Sequence, residues 1–404
     1  MNGREYALQV LYRVNYEGAF ASLLMRTMPK ELSIEDRHLA SEIVYGTLRN
    51  YTMLEYQWKD LASKSVRPKS AVLLNLSVYQ LQYMDRIPPY AVIHEAVELA
   101  SQRDRGFINA LLRKVLDRGV RCPEGDWPTK EAIETSHPEL ILRMWEKQYG
   151  KETALRIAEV DQQRPVLYGR WNSLIEKGEE TESYDWVDDT GFRIHDSEAI
   201  QSALKEGKIL IQSRSSQQIA PLLDVSPGMR VWDVCAAPGT KSQQIACLMR
   251  NEGELLSTDL YSERVSLIDA LMERTGVTIA TTMVKDAAIH GEEDLGTFDR
   301  ILIDAPCSGL GDLSHKPEIR FHITPESLDE LVKTQAAILE ACHDRLRAGG
   351  KLVYSTCTLN KKENEKQIQS FLQAHKDFEL LFEHTYFPYE LESDGFYAAV
   401  LKRN

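Results

Sequence analysis

The stretch Asp233-Val-Cys-Ala-Ala-Pro-Gly-Thr-Lys241 closes the apolar run Arg230-Val-Trp-Asp-Val234 and leads into a helical pattern from about Ser242. A strand, a turn of small residues and a helix in that order predict a parallel α/β sheet, in which ligands bind outside the carboxyl ends of the strands. Further strand-like runs at 254–259, 279–284, 300–304 and 351–355 are mostly separated by helical stretches. That is the rhythm of a parallel sheet covered on both faces. Gly349-Gly350 reads as a helix-to-strand turn before the 351 strand.

Upstream the pattern is helical to about Gly119. Ile108, Leu111, Leu112, Val115 and Leu116 form the stripe of an amphipathic helix, and Pro68 and Pro88-Pro89 punctuate the run into short helices. Between these regions lies a mixed segment, with one helical stretch from 138 to 160, short strands near 166–168 and 192–194, and an acidic loop or hairpin over 176–196. The expected organisation is therefore a helical domain over 1–125, a small α/β connector over 126–207 and an α/β domain over 208–404.

The chain has 404 residues, 43% apolar and 27% charged, which excludes disordered, collagenous and coiled-coil classes. No uninterrupted apolar stretch approaches a membrane span, and the polar, acidic start lacks a signal-peptide core, so a cytoplasmic protein without membrane contact is expected. The six cysteines (122, 235, 247, 307, 342, 357) show neither a CxxC pair nor metal-ligand spacing, so reduced thiols and no metal are expected. Net charge is −13, so an anionic partner has to be met by a local basic patch.

Asp259 ends the second strand 20 residues after Gly239, where an acid can accept hydrogen bonds from ribose hydroxyls. A lone acid there is more often a capping residue; together with the preceding turn it points to a nucleoside-containing cofactor. The turn has too few glycines for a dinucleotide fingerprint, and Thr240 stands where a P-loop needs glycine. Asp286 and Asp304 repeat the strand-end placement and suit either an adenine amino group, the cofactor's amino-acid portion or a helix cap.

Asp304-Ala-Pro-Cys-Ser-Gly309 and Tyr354-Ser-Thr-Cys-Thr358 each put a cysteine just past a buried strand. One such thiol would be a small buried apolar residue. Two beside a nucleoside site suit a thiolate that adds to carbon 6 of cytosine, making carbon 5 nucleophilic, with the second thiol or a water serving the later proton loss and expulsion. By their placement either thiol can be the nucleophile, and a protonated or proton-sharing Asp304 near N3 would promote the addition.

In Cys235-Ala-Ala-Pro-Gly-Thr-Lys241, Asp304-Ala-Pro-Cys-Ser308 and Ser355-Thr-Cys357 the chain resembles the RNA cytosine-5 methyltransferases. Pro88-Pro-Tyr-Ala-Val-Ile-His-Glu-Ala-Val-Glu98 and Gly106-Phe-Ile-Asn-Ala-Leu-Leu-Arg-Lys-Val115 resemble a NusB-like RNA-binding domain, which narrows the likeness to the RsmB (Sun/Fmu) family of 16S ribosomal RNA methyltransferases. The resemblance implies a Rossmann-like sheet that uses S-adenosylmethionine, behind an all-α domain, acting as a monomer on cytosine 967 of free or partly assembled 16S RNA. It implies Cys357 as nucleophile, Cys307 in product release, and Asp304 and Lys241 in the catalytic pocket. Cofactor contacts fall on Cys235, Ala236, Ala237, Pro238, Gly239, Thr240, Lys241, Asp259, Asp286 and Asp304. Two positions depart from the family: Thr240 replaces a glycine, and a Cβ there would crowd the cofactor if φ must be positive; Ser213 replaces an acid.

The basic patch is expected at Arg103, Arg105, Arg113, Lys114, Arg118 and Arg121, six cations against Asp104 and Asp117, with Lys316 and Arg320 on the loop after Cys307 as a second RNA contact. The target cytosine has to be unpaired or flipped to reach the thiols. Rival readings are a cytosine in another ribosomal or transfer RNA, and a non-catalytic RNA-binding assembly factor.

Overall fold

The computed structural model describes residues 1–177, 184–196, 198–289 and 295–404, so 178–183 of the expected acidic hairpin lie outside the described residues. The chain divides into two compact units, Met1–Arg164 with Leu313–His322, and Pro165–Asp312 with Ile323–Asn404. Within 126–207, the helices Thr129–Glu134, Glu139–Tyr149 and Lys151–Val160 belong to the first unit, and the strands with the short helix Gln201–Lys205 to the second.

The first unit is helical. Its helices include Gly3–Glu17, Ile34–Arg49, Pro68–Tyr83, Pro89–Leu99 and Arg105–Arg118, and both punctuating prolines sit in the first turn of a helix, where no amide donor is needed. Ile108, Leu111, Leu112 and Val115 are buried as their spacing predicts, whereas Leu116 is exposed. The expected single helix over 138–160 is two, Glu139–Tyr149 and Lys151–Val160. Gly150 between them has φ +89°, a conformation a continuous helix does not contain.

The second unit holds two sheets. The small antiparallel one has β1 (Tyr168–Trp171), β2 (Tyr184–Trp186), β3 (Gly191–Ile194) and β4 (Ile209–Ile211), in the order β2-β3-β1-β4. The large one has β5 (Arg230–Asp233), β6 (Glu254–Asp259), β7 (Ala280–Val284), β8 (Phe298–Asp304), β9 (Leu346–Thr356), β10 (Phe378–Tyr386) and β11 (Phe396–Arg403), in the order β10-β11-β9-β8-β5-β6-β7. β5 to β9 are mutually parallel; β11 and β10 run antiparallel at one side. Ile301, Leu302 and Ile303 are all fully buried, because helices and loops cover both faces and leave no polar alternation on β8.

Gly349-Gly350 is not a helix-to-strand turn. It lies inside β9, where the pairing with β8 jumps from Phe298↔Leu346 to Arg300↔Lys351. A Cβ on Gly350 would come within 2.9 Å of the Asp299 carbonyl, so that position needs glycine for close approach, and Gly349 takes φ +76°, a conformation that favours glycine.

Candidate active site

The order of the large sheet reverses at β5. From there the chain runs through β6 and β7 to one side, then returns to place β8 and β9 on the other. Such a switch point leaves a crevice at the strand ends, and five loops of small and acidic residues open into it. The crevice is a cavity of about 390 Å³ whose lining includes Cys235, Ala237, Asp259, Asp286, Asp304, Cys307 and Cys357. Ala236, Pro238, Gly239, Thr240 and Lys241 are not part of that lining and shape the turn behind it. Leu260, Tyr261, Arg264, Lys285, Thr334 and Ile338 also line the cavity and were not singled out from sequence. Only Leu260 and Tyr261 carried a signal, by following Asp259 directly.

The β5 turn is built for close approach. Gly239 has φ +103°, and a Cβ there would sit 3.3 Å from the Ile268 backbone. Thr240 does not share that conformation; it is the first residue of the Thr240–Leu248 helix, so its Cβ carries no backbone strain. Asp259 is buried, and its Oδ2 accepts the Ala237 amide at 3.2 Å. Its Oδ1 accepts no hydrogen bond among the described residues and lies 3.4 Å from Arg264 Nη1. Asp286, in the lining of the cavity, accepts the Ala288 amide at 2.9 Å, a local turn bond.

Asp304 is not a free acid. Its Oδ2 lies 2.7 Å from Lys241 Nζ, and its Oδ1 accepts the Ser355 hydroxyl at 2.7 Å. The parallel register sets Ser355 opposite Asp304. Burial opposes the Lys241 charge, but Asp304 outweighs it, with Cys357 adding to the effect, so the ammonium is held above the ordinary lysine range.

The Sγ atoms of Cys307 and Cys357 lie 3.3 Å apart. The contact with Cys357, then burial, then charges including Glu363, push the Cys307 thiol well above its usual range. A buried carboxylate, Glu363, stands near Cys307 and contributes to its upward shift. Cys235 is pushed up by burial and Cys342 to about 12, so neither is a reactive thiol. All six cysteines are free.

In the helical unit, Arg103, Arg113 and Lys114 are exposed, and a groove of about 800 Å³ runs beside Arg105 and Arg113 between the Pro89–Leu99 and Arg105–Arg118 helices. Arg105 faces Glu98 at 3.4 Å. Arg118 and Arg121 turn to Asp60, at 2.8 and 2.9 Å, and Arg118 also donates to the Gln57 carbonyl. Lys316 is half-buried. Arg320 is no phosphate contact: it is 1% exposed, and its Nη1 donates to the carbonyls of Arg49, Thr135 and Ser136 at 3.0–3.3 Å. Burial lowers its pKa to about 10. The sequence shows a cation in a loop; only packing shows that loop folded into the helical core.

Residues 220–402 match the family described as 16S rRNA methyltransferase RsmB/F, and residues 1–117 the NusB family. The chain is 37% identical over 400 residues to a probable ribosomal RNA small subunit methyltransferase B from Bacillus subtilis, covering 93% of this chain and 89% of that protein. It is 31% identical to ribosomal RNA small subunit methyltransferase B from Citrobacter koseri, covering 100% and 99%. Among solved structures, a methyltransferase homolog from Pyrococcus horikoshii superposes with TM-score 0.60 at 28% identity, covering 68% of this chain and 98% of that one.

Proposed function

Because this chain belongs to the RsmB/F family of S-adenosylmethionine-dependent 16S rRNA methyltransferases, we propose that it methylates carbon 5 of a cytosine, the family's cytosine 967, through a covalent bond between Cys357 and carbon 6. The observation that carries this reading is the pair of cysteine sulfurs 3.3 Å apart in the lining of the cavity that also holds Asp259 and Asp304.

The residues of the cavity fit the cofactor. Asp259 offers a buried acceptor oxygen with no donor of its own, suited to a ribose hydroxyl, and Ala237 leaves room for a ligand to approach the backbone. S-adenosylmethionine, when bound, supplies an electrophilic methyl group.

Cys357 attacks carbon 6 as a thiolate, and negative charge develops on the ring. The Lys241–Asp304 pair holds a positive charge against that development. Loss of the carbon 5 proton to a water breaks the carbon 6–sulfur bond and returns Cys357 as a thiolate, and Cys307, 3.3 Å away, assists that release. Exposed Arg103, Arg113 and Lys114, with Lys316, supply phosphate contacts, and the cytosine reaches the thiols flipped or unpaired.

The test is methyl transfer from labelled cofactor to unmodified 16S RNA by wild type, Cys357→Ala and Cys307→Ala, followed by denaturing electrophoresis and mapping of the modified base. Cys357→Ala should lose transfer, and Cys307→Ala should trap a covalent RNA adduct. Full activity in Cys357→Ala would remove it as nucleophile, and a modified base other than the expected cytosine would move the target.

A further inference from the structure

Two adjacent residues bracket the two thiol loops, one loop each. Glu363 is fully buried, and its carboxylate has no cation among its hydrogen-bond partners. Its Oε2 accepts the Ser308 amide at 2.9 Å and Gln335 Nε2 at 3.0 Å; its Oε1 accepts the Ser308 hydroxyl at 2.6 Å and Asn360 Nδ2 at 2.9 Å. Gln335 Nε2 also donates to the Pro306 carbonyl at 2.9 Å, so Cys307 is held on both flanks, at Pro306 and at Ser308. Asn364 does the same for the other loop. Its Oδ1 accepts the Thr356 hydroxyl at 2.6 Å, and its Nδ2 donates to the Thr358 carbonyl at 2.8 Å, one residue to either side of Cys357. Ser308 and Thr358 complete the frame with a hydroxyl contact of 2.7 Å.

Burying a carboxylate is costly unless its oxygens are satisfied by donors, and here most of those donors come from, or are tied to, the segments that carry the sulfurs. We infer that Glu363 and Asn364 are positioning residues of the reaction: together they hold Cys307 and Cys357 at reacting distance, Glu363 setting the first sulfur and Asn364 the second. The inference rests on the methyl-transfer reading above for its kinetic consequence, but not for its geometric one.

Each residue has an isosteric variant that breaks its frame. Glu363→Gln puts an NH₂ group where one oxygen now accepts two donors. Asn364→Asp puts an oxygen against the Thr358 carbonyl. The geometric readout is cross-linking by dibromobimane, which bridges two thiols only when they are close, with the linked peptides identified by mass spectrometry. Wild type should give the Cys307–Cys357 link, and each variant should lose it at least about tenfold while cofactor affinity, measured by calorimetry, stays within about twofold.

The kinetic readout separates the two residues. A displaced reacting group costs about a hundredfold in rate, so kcat should fall by that order, with KM for RNA unchanged in Asn364→Asp and lowered in Glu363→Gln, where the slowed step is release. Glu363→Gln should accumulate the covalent RNA adduct, as Cys307→Ala is expected to, and Asn364→Asp should fail to form it. Ser308→Ala, which removes only one tie, gives a smaller loss of cross-link and decides the matter if Glu363→Gln does not fold. Wild-type cross-linking in both isosteric variants, or in Ser308→Ala alone should Glu363→Gln not fold, would overturn the inference. Loss of the cross-link with the adduct behaviour exchanged between the variants would leave the positioning role standing and reverse the assignment of the thiols.

Discussion

Lys241 Nζ lies 2.7 Å from Asp304 Oδ2, joining the helix after β5 to the end of β8 at the point where the sheet reverses. The lysine side chain is only 11% exposed. Lys241→Met should therefore strand a carboxylate beside the cavity. Removing one partner of a buried pair costs about 3 kcal/mol, read as a shift of the urea unfolding midpoint, and methyl transfer should drop with it.

The same pair sets an alkaline dependence. The Lys241 pKa is raised in the folded state, so its stabilisation is fully present below the unfolded lysine value of 10.5 and is lost as pH rises through the higher folded value. Wild type should lose stability across that range more steeply than Lys241→Met. Equal slopes in denaturant titrations at pH 9 and above would remove the pair as the cause.

Asp233 gives the opposite range. It is fully buried at the end of β5, accepts the Ser242 hydroxyl at 2.6 Å, and has its pKa pushed up to about 7 by burial. Between the unfolded value of 3.8 and about 7 the folded state binds the extra proton, so stability falls as pH rises through that window. Asp233→Asn, neutral throughout, should flatten the dependence; thermal unfolding at pH 5 and pH 8 compares the two.

Arg320 and Lys114 should separate structure from RNA binding. Arg320→Ala removes a donor from three carbonyls, of which that of Thr135 keeps Gln162 Nε2, and should lower stability by about 3 kcal/mol, as loss of a buried charged hydrogen-bond network does. Lys114→Ala should leave stability unchanged and reduce the slope of log Kd against log salt for 16S RNA by about one. An unchanged slope would take Lys114 out of the RNA contact.

Thr240→Gly tests the departure from the family's glycine. Thr240 sits in the first turn of a helix with ordinary φ, so the substitution should weaken the helix by about 0.5 kcal/mol and leave cofactor Kd within about twofold. A tenfold gain in affinity would show that its Cβ does crowd the site.

Much was legible before folding. The strands at 230, 298 and 351 announce themselves because a strand buried on both faces must be continuously apolar, and a ligand turn must be small and strand-terminal; β7 at 280, an edge strand with no buried residue, is legible only by its β-branched run. β10 was missed because most of Phe378–Tyr386 is exposed or half-buried, at the edge of the sheet, without clean alternation. β11 carried a signal, the apolar run Phe396-Tyr-Ala-Ala-Val-Leu401 after Gly395.

By itself, then, the sequence determined the parallel sheet, the turn for a nucleoside cofactor and the two thiols past neighbouring strands, since these follow from short-range pattern and chain order. Tertiary structure alone decided that Arg320 is buried, that Asp304 answers to Lys241, and that Glu363 and Asn364 frame Cys307 and Cys357. Arg320's bonds span 184 to 271 positions, the Lys241–Asp304 pair 63 and the Glu363–Ser308 bond 55, separations that no local pattern encodes; Asn364's ties, 6 and 8 positions long, need the loop closed around Cys357 by the fold.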